Sequence, residues 1–184
     1  MNSKATPLNL LRRLAVVLLL TGVVGGSHAA EPNTYRIGAG DLLSIVVFGE
    51  PDLSLDKVRV GTNGTVSFPL LGEISVSNLT PTELEASLDE RLRDGYLNKP
   101  KITVSILEYR MFYVSGEVKK PGGYNYVEGL TVRKAVALAG GFTVRGSESK
   151  LKKIAEGEPG KEIKVDMDSA VGPGDILTVG ESFF

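Results

Sequence analysis

Carboxylates, tyrosines and lysines must carry whatever chemistry this 184-residue chain performs, because it has no Cys, no Trp and a single histidine, His28. Three groups of acids have spacings worth testing as acid/base pairs or cation ligands: Glu83 with Glu85, Asp89 with Glu90, and Asp166 with Asp168 ahead of Asp175. The first two pairs fall where the apolar period is helical. Residues one or two apart on a helix point in different directions, so these acids read as a solvated face. Asp166, Asp168 and Asp175 are oxygen donors of the kind a divalent cation takes, yet they lack EF-hand spacing. No catalytic, cofactor-binding or metal residue is therefore assigned. Tyr124 and Tyr126 alternate on a predicted strand, which turns both rings to one face. Aromatic faces suit sugar rings, and these two are the candidate glycan contacts. Lys150, Lys152 and Lys153 form the densest basic cluster, read as a solvated strand face; no basic stripe of the kind nucleic-acid binding needs is present.

The lone histidine belongs to a segment expected to be removed. Lys4, Arg12 and Arg13 precede an eleven-residue run, Leu14 to Val24, broken only by Thr21 and Gly22. Ser27-His28-Ala29 then supplies a small-x-small cleavage site, so residues 1–29 read as a secretory signal peptide. The run is too short for a membrane-spanning helix, which needs about 20 residues. An uncleaved amphipathic anchor is the alternative. Without Cys there is no lipobox. The mature chain would carry 18 basic against 22 acidic residues, a net charge of −4, and no imidazole or thiol. Disulfides, Cys/His zinc sites and Ser-His-Asp triads are excluded on that reading. An eight-stranded outer-membrane barrel needs aromatic girdles and strands throughout. Only 12 aromatics and two helical segments speak against it, whatever the terminal Phe183-Phe184 suggests.

The elements that would position these residues follow from period and punctuation. Leu42 to Phe48 is apolar and β-branched, and is predicted as a strand buried on both faces. Val58–Val60 and Thr65–Leu71 are predicted to pair as a hairpin about Thr62-Asn63-Gly64. Ile74–Val76 is a short strand. Thr80-Pro81-Thr82-Glu83 combines an N-cap hydroxyl, Pro at the first helical position and Glu three residues after the cap. Leu84, Leu88 and Leu92 continue that helix, and Gly95 ends it. Ile102, Val104 and Ile106 alternate as a strand. Beyond Arg110, Met111–Val118 and Tyr124–Val127 are predicted strands about a turn at 119–123. Thr131 caps a second helix with Val132, Ala135, Val136 and Ala139 on one face, stopped by Gly140-Gly141. Ser149–Ala155, Glu162–Asp166 and Ile176–Val179 are the closing strands. Two strands, a helix and further strands is the order of a β-grasp.

One internal echo stands out. Gly38-Ala39-Gly40-Asp41 and Gly172-Pro173-Gly174-Asp175 both place Gly-x-Gly-Asp directly before an apolar strand. A phosphate loop needs a strand before its glycines and a helix after them. Here a strand follows, so the motif reads as a stereotyped way of starting a strand.

Several segments, taken in order, resemble the polysaccharide export domain of outer-membrane polysaccharide exporters: Tyr35-Arg36-Ile37-Gly38-Ala39-Gly40-Asp41, Phe68-Pro69-Leu70-Leu71-Gly72, Leu79-Thr80-Pro81-Thr82-Glu83-Leu84, and Asn98-Lys99-Pro100 before Ile102-Thr103-Val104. The remainder resembles the SLBB (soluble-ligand-binding β-grasp) domain that accompanies it, through Val114-Ser115-Gly116-Glu117-Val118, Pro121-Gly122-Gly123-Tyr124, Ala139-Gly140-Gly141 and Pro173-Gly174-Asp175. The resemblance implies an α+β protein with a signal peptide at 1–29, a polysaccharide export domain at 30–108 (a mixed sheet with one helix) and an SLBB β-grasp domain at 109–184. Gly38, Gly40, Asp41, Pro121, Gly122, Gly140, Gly141, Gly174 and Asp175 would be its structural turns. It implies a non-enzymatic component that helps carry exopolysaccharide or capsule chains out of the cell, often as a homo-oligomeric ring, beside an inner-membrane polysaccharide co-polymerase. Lacking a lipobox and a C-terminal membrane helix, the chain resembles a short periplasmic member needing an outer-membrane partner such as a β-barrel. A glycan- or ligand-sensing module and a carboxylate-based glycan-cleaving enzyme are the competing readings.

Overall fold

A computed structural model describes residues 35–182. The expected signal peptide and the Phe183-Phe184 pair lie outside the described residues. Strand β1 (Leu42–Val47) runs between β2 (Leu55–Arg59) and β5 (Ile102–Glu108), antiparallel to both. A separate hairpin pairs β3 (Thr65–Phe68) with β4 (Gly72–Ser75). Helix α1 (Pro81–Arg93) buries Leu84, Leu88 and Leu92 against these strands, each worth about 1.5–3 kcal/mol of apolar burial. Its start has the expected capping box: Glu83 N–H donates to Thr80 Oγ1 (3.2 Å), and Thr80 N–H donates to the Glu83 carboxylate (2.8 Å). At its far end Leu97 N–H donates to the carbonyl of Leu92.

The second part is a five-stranded sheet in the order β7-β6-β10-β8-β9. Its strands are β6 (Phe112–Gly116), β7 (Gly122–Tyr124), β8 (Gly146–Ile154), β9 (Glu162–Val165) and β10 (Ile176–Glu181). β10 lies parallel to β6 and antiparallel to β8, so the mixed sheet of the molecule is here, while the ladders of the first part are antiparallel. Helix α2 (Val132–Leu138) closes one face of this sheet with Val132, Ala135 and Val136, and the Thr131 hydroxyl accepts from Lys134 N–H. The architecture is α+β. Each part has its own core, one built from Ile37 to Val104 and the other from Phe112 to Val179. Among the described residues no helix is long and apolar enough to cross a membrane, a statement that leaves membrane strands untouched.

Four sequence expectations need correction. β1 is buried on one face only: Leu43, Ile45 and Val47 are inside, whereas Val46 and Phe48 are exposed. α1 covers one side of that sheet and no described element covers the other. The Asn-Gly turn does not make a hairpin. Gly64 N–H donates to Gly61 O there, but β2 pairs with β1 and β3 with β4, so the turn passes the chain between two sheets. Asn63 is not left-handed, and its side chain accepts from Thr65 N–H instead. Gly122 and Gly123, expected in a turn, already belong to β7. Lys153 is not on a solvated face, because its alternation with Lys152 sends it inward.

Candidate functional site

The two Gly-x-Gly-Asp segments fold alike, bond for bond. Gly38 N–H donates to the Asp41 carboxylate (2.8 Å) and Gly172 N–H to that of Asp175 (2.7 Å). In return Asp41 N–H donates to Gly38 O (3.2 Å) and Asp175 N–H to Gly172 O (3.3 Å). Gly40 and Gly174 sit at φ of 93° and 84°, a left-handed conformation that a Cβ disfavours. Each carboxylate is removed from water, with Asp41 fully buried and Asp175 4% exposed. A burial that deep is tolerated only with hydrogen bonds and a cation, and both are present. Arg110 Nη1 lies 3.1 Å from Asp41, and Lys153 Nζ lies 2.9 Å from Asp175.

These two turns are also where the parts of the molecule join. The second oxygen of Asp41 accepts from Arg110 N–H (2.8 Å), and the second oxygen of Asp175 accepts from Glu156 N–H (3.2 Å). Arg110 and Glu156, each docked on one aspartate, then pair with one another through Nε and a carboxylate oxygen. The Tyr35 hydroxyl donates to Asp41 (2.5 Å) and accepts from Arg110, whose guanidinium carbon lies 5.6 Å from the centre of the Tyr35 ring. From Tyr35 an edge-to-face series continues to Tyr109 (4.8 Å between centroids) and Tyr126 (5.3 Å). Burial, followed by the bond to Asp41, pushes the Tyr35 hydroxyl far above its ordinary range. Burial and Glu128, which accepts a hydrogen bond from the Tyr109 hydroxyl (2.5 Å), do the same for Tyr109. Burial on its own would lower Arg110, but Tyr35, Asp41 and Glu156 outweigh it and raise it, so it stays a fixed cation. A buried aspartate accepting this many donors is a structural anchor.

Of the other candidate acids, Glu90 is exposed and the rest are engaged. Glu83 belongs to the capping box and pairs with Arg36 (3.1 Å). Glu85, expected on a solvated face, is half-buried and accepts the N–H of Val104 on edge strand β5 (2.8 Å). Asp89 pairs with Arg93 one turn on. Asp166 accepts from Ser169 and from Asp168 N–H, and Asp168 pairs with Arg133. Among the described residues no three acids converge as a metal site. Pro121 precedes β7, and Gly140 and Gly141 close α2 through bonds to Ala137 and Val136 carbonyls. Tyr124 and Tyr126 are both half-buried on the second core, but β7 ends at Tyr124, so Tyr126 follows the strand and is not on it as expected. Tyr124 tilts against Phe112 and donates to Lys120 O, while Tyr126 packs on Tyr109.

Beside the junction lies a cleft of about 530 Å³ lined by residues of both parts, including Arg59, Glu108, Tyr109, Tyr113 and Asn125. Sequence reasoning missed Arg110, Glu156 and this cleft. The Gly-x-Gly-Asp repeat was the available signal, since a buried aspartate requires a cation and one had to come from elsewhere in the chain.

Comparison with known proteins decides the family. Residues 29–107 match the family model described as polysaccharide biosynthesis/export protein, and residues 111–165 match the SLBB domain model. The chain belongs to the polysaccharide biosynthesis/export family. Curated relatives include the exopolysaccharide production protein ExoF of Rhizobium meliloti, 33% identical over 71% of this chain and 33% of that protein. The EPS I polysaccharide export outer membrane protein EpsA of Ralstonia nicotianae is 30% identical over 84% of this chain and 48% of its own length. EpsA of Ralstonia solanacearum is 29% identical over 82% and 47%. The chain thus spans a third to about half the length of these relatives. Arg110 falls in the gap between the two matched segments of this export-family chain, and joins them physically.

Proposed function

We propose that this chain is a non-enzymatic envelope component of an exopolysaccharide export machinery. The observation that carries the reading is the succession of export-family and SLBB matches along one chain, supported by relatives named for exopolysaccharide production and export. The engagement of Asp41, Glu83, Glu85 and Asp175 in structural bonds favours this over a carboxylate-based glycan-cleaving enzyme. In the reading, residues 1–29 direct the chain to the periplasm, and residues 30–108 and 109–184 are its two functional domains. Copies assemble as a homo-oligomer around the polymer's path. An inner-membrane co-polymerase delivers the chain, and an outer-membrane partner such as a β-barrel completes its passage. Deleting the gene and measuring secreted and periplasmic polysaccharide tests this. Secretion is expected to fall, with polymer retained inside and recovery on complementation. Unchanged secretion without retained polymer would overturn the reading.

A further inference from the structure

The junction cleft has features that anchoring two aspartates does not require. Tyr113 alternates on β6 with buried Phe112 and Val114, so it stands on the outer face of the five-stranded sheet, 49% exposed. Its register partner on β7 is Gly123, and a Cβ built there would fall 3.0 Å from Tyr113 Cε1 and 3.3 Å from Met111 Sδ. The ring therefore lies close over bare backbone, and among the described residues no other aromatic ring stacks on it. Around it the cleft's charged side chains balance: Arg59 and Arg110 against Glu108 and Glu156. Arg59 is held by donating to Gly40 O (2.7 Å), and its pairing with Glu108 is loose at 3.4 Å. A guanidinium has five N–H donors, so several stay available, and the Asn125 side chain offers a donor and an acceptor together.

We propose that this cleft is a subsite for one neutral sugar ring of the exported polysaccharide, with Tyr113 as its floor. The inference rests on the export reading and names the surface through which the protein meets its polymer. An exposed aromatic face takes the apolar C–H face of a pyranose, while planar side chains at the rim exchange hydrogen bonds with its hydroxyls. The volume lies within the roughly 300–1,000 Å³ of ordinary ligand pockets. Charge balance selects against a phosphate or a uronate, each of which would need surplus cations. No trio of carboxylates is present for a metal ion among the described residues.

The test is amide NMR of the exported protein, titrated with oligosaccharides cut by partial hydrolysis from the producing cell's own secreted polysaccharide. Shifts are expected at Tyr113, Gly123, Asn125 and Tyr109. Tyr113→Ala should weaken binding about tenfold, and Tyr113→Phe should retain it. Tyr96→Ala, which removes an equally exposed tyrosine (49%) that does not line the cleft, should bind as wild type. Absence of shifts at these amides into the millimolar range, or unaltered binding by Tyr113→Ala, overturns the subsite. The deletion assay separates the two readings: lost secretion with a silent cleft refutes the subsite alone, and unchanged secretion refutes the export role itself.

Discussion

Replacing Asp41 with Ala should be among the most damaging single changes to this fold. The substitution leaves Gly38 N–H, Arg110 N–H and the Tyr35 hydroxyl without their acceptor, and leaves the Arg110 guanidinium with Glu156 as its one carboxylate partner. The Arg110 side chain is 16% exposed, so water replaces little of what is lost. Breaking a buried charge pair from one side costs about 3–5 kcal/mol, and each stranded buried N–H adds about 1–3 kcal/mol unless the backbone relaxes. Allowing for relaxation, we expect a loss of about 4 kcal/mol. At about 2–4 °C per kcal/mol for a chain of this size, the Tm should fall by roughly 8–16 °C. Calorimetry of the wild type, Asp41→Ala, Arg110→Ala and the double variant completes the test. Once Asp41 is gone, removing Arg110 strands no carboxylate at that turn. The double variant should therefore be less destabilised than the sum of the singles, by about 1–3 kcal/mol. A Tm loss below about 2 °C, or strict additivity, would refute the idea that these groups act as one anchor.

Two further outcomes follow from the titrating groups. Glu83 is held below its ordinary range, first by Thr80 N–H and then by Arg36. Its contribution is therefore present above the unfolded carboxylate value and is lost as pH falls through the depressed folded one; Glu83→Gln should flatten the acid limb of a stability–pH curve, and an unchanged limb would count against the capping box. Tyr35, Tyr109 and Tyr126 are all raised, chiefly by burial. Their share of stability is full below the ordinary tyrosine value near 10 and declines as pH rises above it. Spectrophotometric titration should show these three of the six tyrosines ionising late, together with alkaline unfolding; six equivalent tyrosines would contradict the packing described.

What could be read from sequence was what is decided within a few residues. Thr80-Pro81-Thr82-Glu83 starts α1 because donor, acceptor and fixed φ lie inside one turn, and Gly140-Gly141 ends α2 in the same way. The glycine–aspartate turns were visible as a repeat because each closes on itself over three residues. Pairing was less visible. The Asn63-Gly64 signal was real, yet β3's partner is chosen by which strands border it, and β4 offers four consecutive register pairs. Burial of β1 on both faces was inferred from its apolar run, but Val46 and Phe48 face outward because α1 covers one side only. The junction was least visible of all. Arg110 and Asp41 are 69 residues apart, and nothing near either announces the other.

The placement of β10 bears on how the chain comes to be folded at all. The strand that completes the five-stranded sheet, Ile176–Glu181, follows its neighbours β6 and β8 in sequence and inserts between them. Before it arrives, β6–β7 and β8–β9 are two disconnected hairpins, and isolated hairpins are at best marginally stable in water. Asp175, which draws Lys153 inward and docks Glu156, arrives with the same segment. Closure of this part therefore waits for β10, as long-range pairing generally delays folding. Removing Ile176–Glu181 should therefore undo the whole five-stranded sheet and not merely shorten it, because the two hairpins share no ladder without it.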